Sequence, residues 1–275
     1  MTIEKDSNQT PQYLTYSGQF GDAQIAYFFQ PFKAVNAAKT PTIMFCGGFN
    51  SNMQGNKARF LEAFCRDKKL NYLRFDYQGH GQSSGEFRDG TIGQWAKDAE
   101  MILEHVTNQL LPQKDSPIIL VGSSMGGWIS LLLSQRHPHL VKGLVLLAPA
   151  PDFPTKLMWA AFDRDIKNIL ETEGVWFRPS EFEGEESYPI TLNFINESTS
   201  HNLLDDTIPF DGPIHIIHGD KDEVVPLSHI FQLVNKLENP DTTTEIVKGG
   251  DHRLSTNPEL NRLGRRVLEV IEKIS

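Results

Sequence analysis

Along the chain, short runs in which nearly every position is apolar recur at intervals: TIMF at 42–45, YLRF at 72–75, IILV at 118–121, LVLLA at 144–148 and IHII at 214–217. Runs without polar alternation predict strands covered on both faces, as the strands of a parallel sheet are. Between them the apolar positions follow a helical period. In 91–111 they are Ile92, Trp95, Ala99, Ile102, Leu103, Val106 and Leu110, and at the end of the chain Leu260, Leu263, Val267, Val270, Ile271 and Ile274. Strand and helix alternate, which predicts an α/β fold with a mostly parallel central sheet and helices on both faces. Near the start, YLTYS at 13–17 and QIAYFF at 24–29 flank the turn signal GQFGD and predict an antiparallel pair at the sheet edge. The rhythm breaks between Ala148 and Pro213. A helical stretch around 157–170 is followed there by irregular, aromatic-rich sequence with Trp176, Phe177, Phe182, Tyr188 and Phe194. This segment, about 152–209, is expected to be a cap inserted between two strands of one domain spanning 1–275.

At 275 residues the chain is long enough to bury one sizeable core. Its net charge of -9 excludes the basic face that nucleic acid demands. The densest acidic run, EFEGEES at 181–187, reads as a solvated loop. The two cysteines, Cys46 in an apolar run and Cys65 in a helical pattern, are expected as buried small hydrophobes in a reducing compartment rather than as a disulfide. The first residues, MTIEKDSNQTPQ, hold no apolar secretion segment and carry acidic residues unlike a transit peptide, and no stretch is apolar enough for stable membrane insertion. A cytoplasmic protein is the expectation that follows.

Two stretches share the pattern G-x-S-x-G: GQSSG at 81–85, centred on Ser83, and GSSMG at 122–126, centred on Ser124. The pattern alone arises easily by chance, and context separates the two. A nucleophile elbow needs a strand running straight into the turn and a helix leaving it at once. PIILVGSSMGGWISLLLSQRHP supplies both around Ser124, whereas Ser83 sits in a loop well past its strand, and EFRDG beyond it is no helix. Ser124 is the candidate nucleophile; Ser83 is expected to be a turn residue.

A serine hydroxyl needs a base within hydrogen-bond reach and a group to orient that base. On an elbow fold they follow in the order acid, then histidine. Of the nine histidines, His80 and His105 precede Ser124, and His137 and His139 lie at the far end of the helix that follows it. His201 falls in the insert, His229 in a helix, and His215 and His218 on a strand. His252, in KGGDHRLSTNP after the strand-like TTTEIV, remains as the candidate base. HGDKDEVVP offers both Asp220 and Asp222 as the acid; Asp251 is poorly placed to reach the ring of its own neighbour.

Four separated motifs in order, GGFNS at 47–51, FDYQGHGQSSG at 75–85, GSSMGG at 122–127, and HGDKDEVVP with GGDH, resemble the α/β-hydrolase superfamily from Thr42 to the C-terminus. The resemblance implies Asp222 rather than Asp220 as the acid, and an oxyanion hole made by the backbone N–H groups of Met125 and Phe49. Gly47 stands where many members carry histidine, which leaves a hole built of amides intact. GSSMGGW, FCR and GVWFRPSEF are similar more narrowly to the branch containing mitochondrial acyl-protein thioesterase and acyl-glucuronide esterase, implying fatty or aryl acyl esters or thioesters, on a small molecule or an acylated protein.

The expected activity is a serine esterase or thioesterase with Ser124, His252 and Asp222 as its triad. Trp128, Trp159, Phe162, Trp176, Phe177 and Phe194 are expected to line an acyl pocket. An amidase, aminopeptidase or carbon–carbon bond hydrolase would use the same triad, and a non-catalytic ligand-binding member of the fold is the reading from a different class. No phosphate loop or zinc spacing occurs, so neither cofactor nor metal is expected.

Overall fold

The structure is a computed structural model that describes residues 10–18, 21–32, 40–111, 116–179 and 187–275. Eight strands form one sheet in the order β1-β2-β4-β3-β5-β6-β9-β10, the strands being numbered along the chain. They are β1 (Gln12–Gly18), β2 (Gly21–Gln30), β3 (Thr42–Cys46), β4 (Asn71–Phe75), β5 (Ile118–Ser123), β6 (Val141–Leu147), β9 (Ile214–Gly219) and β10 (Thr242–Val247). β1 with β2 and β2 with β4 are antiparallel, and every other pairing in the sheet is parallel.

The unalternated strands are covered on both sides, as their sequence requires. Ile43 and Phe45 of β3, Ile119 and Val121 of β5, and Val145 and Leu147 of β6 pack with α1 (Asn56–Lys68) and α7 (Asn257–Ile274). The intervening Met44 and Cys46, Leu120, and Leu144 and Leu146 join the opposite core with α2 (Ile92–His105), α3 (Met125–Arg136) and α6 (Leu227–Lys236). Successive side chains of a strand face opposite ways, so each apolar run supplies both cores.

From β3 the chain passes to β4 on one side and then crosses back to β5 on the other. Such a switch opens a crevice at the carboxyl ends of the two strands, where ligands of open α/β sheets bind. The loops after β3 and β5, which carry Phe49 and Ser124, both open there.

The edge hairpin is present as expected, although its turn residues 19–20 lie outside the described residues, as do Phe182 and all but Ser187 of the acidic run at 181–187. The helix expected over 91–111 ends at His105 and finishes in a wide turn, with the Leu111 amide donating to the Val106 carbonyl at 2.9 Å.

Between β6 and β9 the insert is more regular than its sequence suggests. The stretch expected as one helix around 157–170 is two, since Asp163 accepts the Ile166 amide at 2.8 Å and caps a new helix, α4 (Arg164–Glu173). The aromatic-rich sequence after it forms an antiparallel hairpin, β7 (Val175–Arg178) with β8 (Tyr188–Thr191), and then α5 (Leu192–Ser198). Buried Asp152 draws the ends of the insert together by accepting the Leu203 and Leu204 amides at 2.8 and 2.9 Å.

Candidate functional site

The site begins with the turn that joins β5 to α3. Ser124 sits there with φ 54 and ψ -117, a backbone state that non-glycine residues rarely adopt. Two glycines permit the reversal. A Cβ on Gly126 would lie 2.0 Å from the Cys46 carbonyl oxygen, and one on Gly122 2.4 Å from the Gly126 carbonyl oxygen. The Ser124 side chain therefore stands at the end of a buried strand and at the N-terminus of α3, where the helix leaves its first amides unpaired and its dipole favours negative charge.

His252 lies in the loop between β10 and α7. Its Nε2 is 3.0 Å from Ser124 Oγ, and its Nδ1 is 2.8 Å from Asp222 Oδ2. The structure thus brings the candidate nucleophile, base and acid into one hydrogen-bonded chain. With Asp222 ionised, Nδ1–H donates to the carboxylate and Nε2 is left to accept from the serine hydroxyl.

Asp222 follows β9, and its side chain is enclosed. Burial by itself would raise its pKa; the hydrogen bond and charge of His252, the Val225 amide and His218 outweigh that and hold the carboxyl below its ordinary value. Its other oxygen, Oδ1, accepts the amides of Val224 and Val225 at 2.9 and 2.8 Å. Asp220 faces elsewhere, with Lys248 Nζ at 2.7 Å and the Gly249 amide at 2.5 Å. Asp251 accepts the amides of Arg253 and Leu254 at 3.0 and 3.1 Å and so shapes the loop that carries His252.

One supporting residue escaped the sequence reading. His218 is fully buried at the end of β9, with its Nε2 2.9 Å from the Val225 carbonyl, and so braces the turn that presents Asp222. Burial lowers its pKa and favours the neutral ring, whose Nε2–H donates. The H-G-x-x-D spacing was the signal available for it.

The two candidate oxyanion donors face the same end of the sheet. Met125 is the first residue of α3, so its N–H has no acceptor within the helix, and the Phe49 amide donates to no acceptor among the described residues. The ring of Phe49 is the hub of an aromatic cluster. It stacks on Phe194 at 5.2 Å between centroids and meets Phe87, Trp95, Phe153 and Tyr188 edge-on between 4.9 and 5.9 Å.

Of the six expected pocket residues, Phe194 alone lines the cleft beside Phe49. Phe194 belongs to the Phe49 cluster, and with Phe49, Phe87, Arg88, Trp95 and Pro189 it borders a narrow cleft. Trp128 is fully buried on α3, donates from Nε1 to the His201 carbonyl at 3.1 Å and lies against Phe153. Trp159, Phe162 and Trp176 pack on one another inside the insert. Phe177 faces solvent, 54% exposed; the pleat of β7 turns it away from the side on which Trp176 packs. Phe87 and Trp95, read from sequence as a loop residue and a core stripe, border the cleft instead.

Both cysteines are free and buried, and burial pushes the Cys46 thiol up to about 12, so neither has the character of a reactive thiol. Among the described residues one group of potential metal ligands gathers, Glu100, Glu104 and His137. It lies at the far end of α3 from Ser124, and Glu100 already meets Lys97 and His137 at 2.9 Å each. No helix among the described residues is long and apolar enough to cross a membrane.

A family model described as serine aminopeptidase, S33 (Hydrolase_4) matches residues 37–182. Mouse palmitoyl-protein thioesterase ABHD10, mitochondrial, is 35% identical over 237 residues, covering 86% of this chain and 77% of that protein. The chain belongs to the α/β-hydrolase family. It is a serine hydrolase. Among solved structures, a putative hydrolase from Agrobacterium vitis S4 is similar with a TM-score of 0.87 and 32% identity, covering 95% of this chain and 98% of that one. Mouse alpha/beta hydrolase domain-containing protein 10 is similar with a TM-score of 0.81 and 32% identity, covering 97% and 100%.

These relatives overturn the expectation of a cytoplasmic protein, because the mouse thioesterase, and a human one 34% identical over 238 residues, are named mitochondrial. That expectation rested on the first residues and on free thiols. Free thiols fit any reducing compartment, and so do not single out the cytoplasm.

Proposed function

We propose that this serine hydrolase cleaves carboxylic esters or thioesters of fatty or aryl acyl groups through an acyl-enzyme. Ser124 Oγ attacks the acyl carbonyl while His252 Nε2 takes the hydroxyl proton. Asp222 fixes the ring orientation and stabilises the imidazolium, and the amides of Phe49 and Met125 hold the oxyanion. Collapse of the tetrahedral adduct expels the alcohol or thiol, protonated by His252. Water, deprotonated by the same ring, then attacks the acyl-serine, and the carboxylic acid leaves as Ser124 recovers its proton. The observation that carries this reading is the Asp222–His252–Ser124 hydrogen-bonded chain ending on a serine held in a left-handed backbone state.

The acyl preference rests on the aromatic wall around Phe49 and on the name of the mouse relative, whose substrate is a palmitoylated protein. The cleft beside Phe49 is too narrow to hold even a water molecule, whereas pockets for drug-sized ligands begin at ~300 Å³. A long acyl chain therefore enters as the insert's aromatic side chains give way, and short or aryl acyl groups need less displacement. The test is a fluorophosphonate probe followed by a panel of acyl esters and thioesters of graded length. Labelling that Ser124→Ala abolishes, together with turnover that rises with acyl length, is the expected result. Labelling that survives in Ser124→Ala would overturn the assignment of the nucleophile.

A further inference from the structure

Lys57 is the second residue of α1, a position where the helix dipole disfavours a cation, and no acidic residue occupies that first turn to offset it. The side chain is also half-buried. Burial lowers its pKa to about 8, against the raising influence of Asp251 on the His252 loop and Glu259 on α7; Arg253 on the same loop lowers it further. A cation held at two disadvantages is explained by what its ammonium reaches. Lys57 Nζ donates to the Arg253 carbonyl, the residue directly after His252, and lies 3.5 Å from Ser255 Oγ.

The loop that carries His252 is anchored on its other side by a different element. The Lys221 amide, just past β9, donates to the Gly250 carbonyl at 2.9 Å. Beyond His252 the chain turns through Leu254, whose φ is 44 and whose side chain is buried. Asp251 and Glu259 bind amides of this turn, at Arg253, Leu254 and Thr256, but both lie in the same run of chain. Lys57 reaches it from α1, which follows directly on the loop that bears Phe49. Its side chain therefore reaches from the start of α1, one loop after the candidate oxyanion donor Phe49, to the β10 loop with the candidate base.

We propose that Lys57 is a positioning residue that fixes the His252 loop relative to Ser124 and the Phe49 amide through its charge-assisted bond to the Arg253 carbonyl. The inference rests on the reading of His252 as the general base. A displaced base slows the proton-transfer steps while leaving the acyl pocket untouched, so the effect falls on kcat and not on KM.

The experiment compares Lys57→Met and Lys57→Arg with wild type on p-nitrophenyl acetate, alongside the rate of fluorophosphonate labelling and the melting temperature. Lys57→Met is expected to lower kcat ~10–100-fold, the scale of a small misplacement of a catalytic group, with KM near the wild-type value and labelling slowed in proportion. Lys57→Arg, which keeps a cationic donor, is expected to recover most of that loss. Lys57→Gln serves if the methionine variant does not fold, and Lys248→Met, which removes the lysine on Asp220, is the control expected to behave as wild type. A folded Lys57→Met or Lys57→Gln with wild-type kcat overturns the proposal, as does a loss carried by KM. The two readings fail separately: activity retained in Ser124→Ala defeats the nucleophile assignment, whereas a dead Ser124→Ala beside a fully active Lys57→Met defeats this inference alone.

Discussion

GQSSG and GSSMG are the same five-residue pattern put to opposite uses. In the first, Ser83 turns inward onto backbone: its Oγ accepts the Ala26 amide at 2.9 Å and donates to the Asp76 carbonyl at 2.6 Å. In the second, Ser124 Oγ faces an imidazole nitrogen at 3.0 Å. The glycines differ in purpose as well. Gly81 has φ 48 and bends a loop around Asp76, whose carboxylate a Cβ would strike at 2.1 Å, while Gly126 lets the start of a helix approach the end of β3. In the first stretch the positive φ belongs to glycines and the serine is relaxed; in the second it belongs to the serine itself. A shared motif therefore carries no chemistry until the element before it and the element after it are known.

The sharpest way to break this comparison is to remove each hydroxyl. Ser124→Ala is expected to lower kcat on the order of 10⁶-fold, the scale found where such triads have been dissected. Turnover of a short acyl ester measures it, with circular dichroism to verify the fold. If Ser83→Ala were instead the inactive, folded variant, the roles argued for the two serines would be exchanged.

The acids provide a second matched pair. Asp222→Asn is expected to lower kcat about 10⁴-fold through the wrong ring tautomer. Asp220→Asn loses only contacts to the exposed Lys248 and to the Gly249 amide and is expected to stay close to wild type. The pH dependence of stability sharpens the contrast. Because the folded-state pKa of Asp222 is depressed, its contribution is fully present above the ordinary carboxyl value near ~4 and is lost as pH falls through the lower folded value. Subtracting the Asp222→Asn stability curve from that of wild type should show a difference that vanishes in acid. A difference growing toward low pH would mean that the carboxyl is raised, not lowered.

Why the pairing of Ser124 with His252 could be read from sequence, and the orientation of the insert's aromatics could not, follows from how each is built. The elbow is local: strand, turn and helix are contiguous, and the glycines that allow it are in the motif. His252 emerged because position after a strand and before a helix sufficed to sort nine histidines. The choice between Asp220 and Asp222 came only from family resemblance, because two residues on one turn look alike until the partner Lys248 and the buried amides of Val224 and Val225 are visible. The cap aromatics could be counted but not oriented. Phe177 and Trp176 are neighbours in sequence and face opposite sides of a strand that the irregular pattern did not reveal, and Phe49, read for its amide, proved to be the ring on which Phe153, Tyr188 and Phe194 of the insert converge.

That convergence makes a third test. If the Phe49–Phe194 stack bounds the acyl site, each acyl methylene buried should improve kcat/KM by up to about 0.8 kcal/mol until the space is full. Phe194→Ala should extend the series to longer chains, whereas Phe177→Ala, at a solvent-facing position, should leave the profile as it is. A flat profile in the wild type, or equal shifts in both variants, would remove the insert from substrate recognition.

The smallest effect on activity is expected at Ser83. With Ala there, the Ala26 amide loses its acceptor and the Asp76 carbonyl its donor, in a loop that also holds Asp76 against the amides of Met53 and Gln82 at 2.6 and 2.9 Å. A partly buried group left unpaired costs ~1–3 kcal/mol, which a urea melt resolves as a lower midpoint at unchanged slope. The hydroxyl touches nothing in the Ser124–His252–Asp222 chain, so fluorophosphonate labelling of Ser83→Ala should run at the wild-type rate. Normal labelling with lowered stability is the signature of a serine that serves the fold. Slowed labelling at unchanged stability would tie this loop to the reacting site and undo the separation between the two motifs.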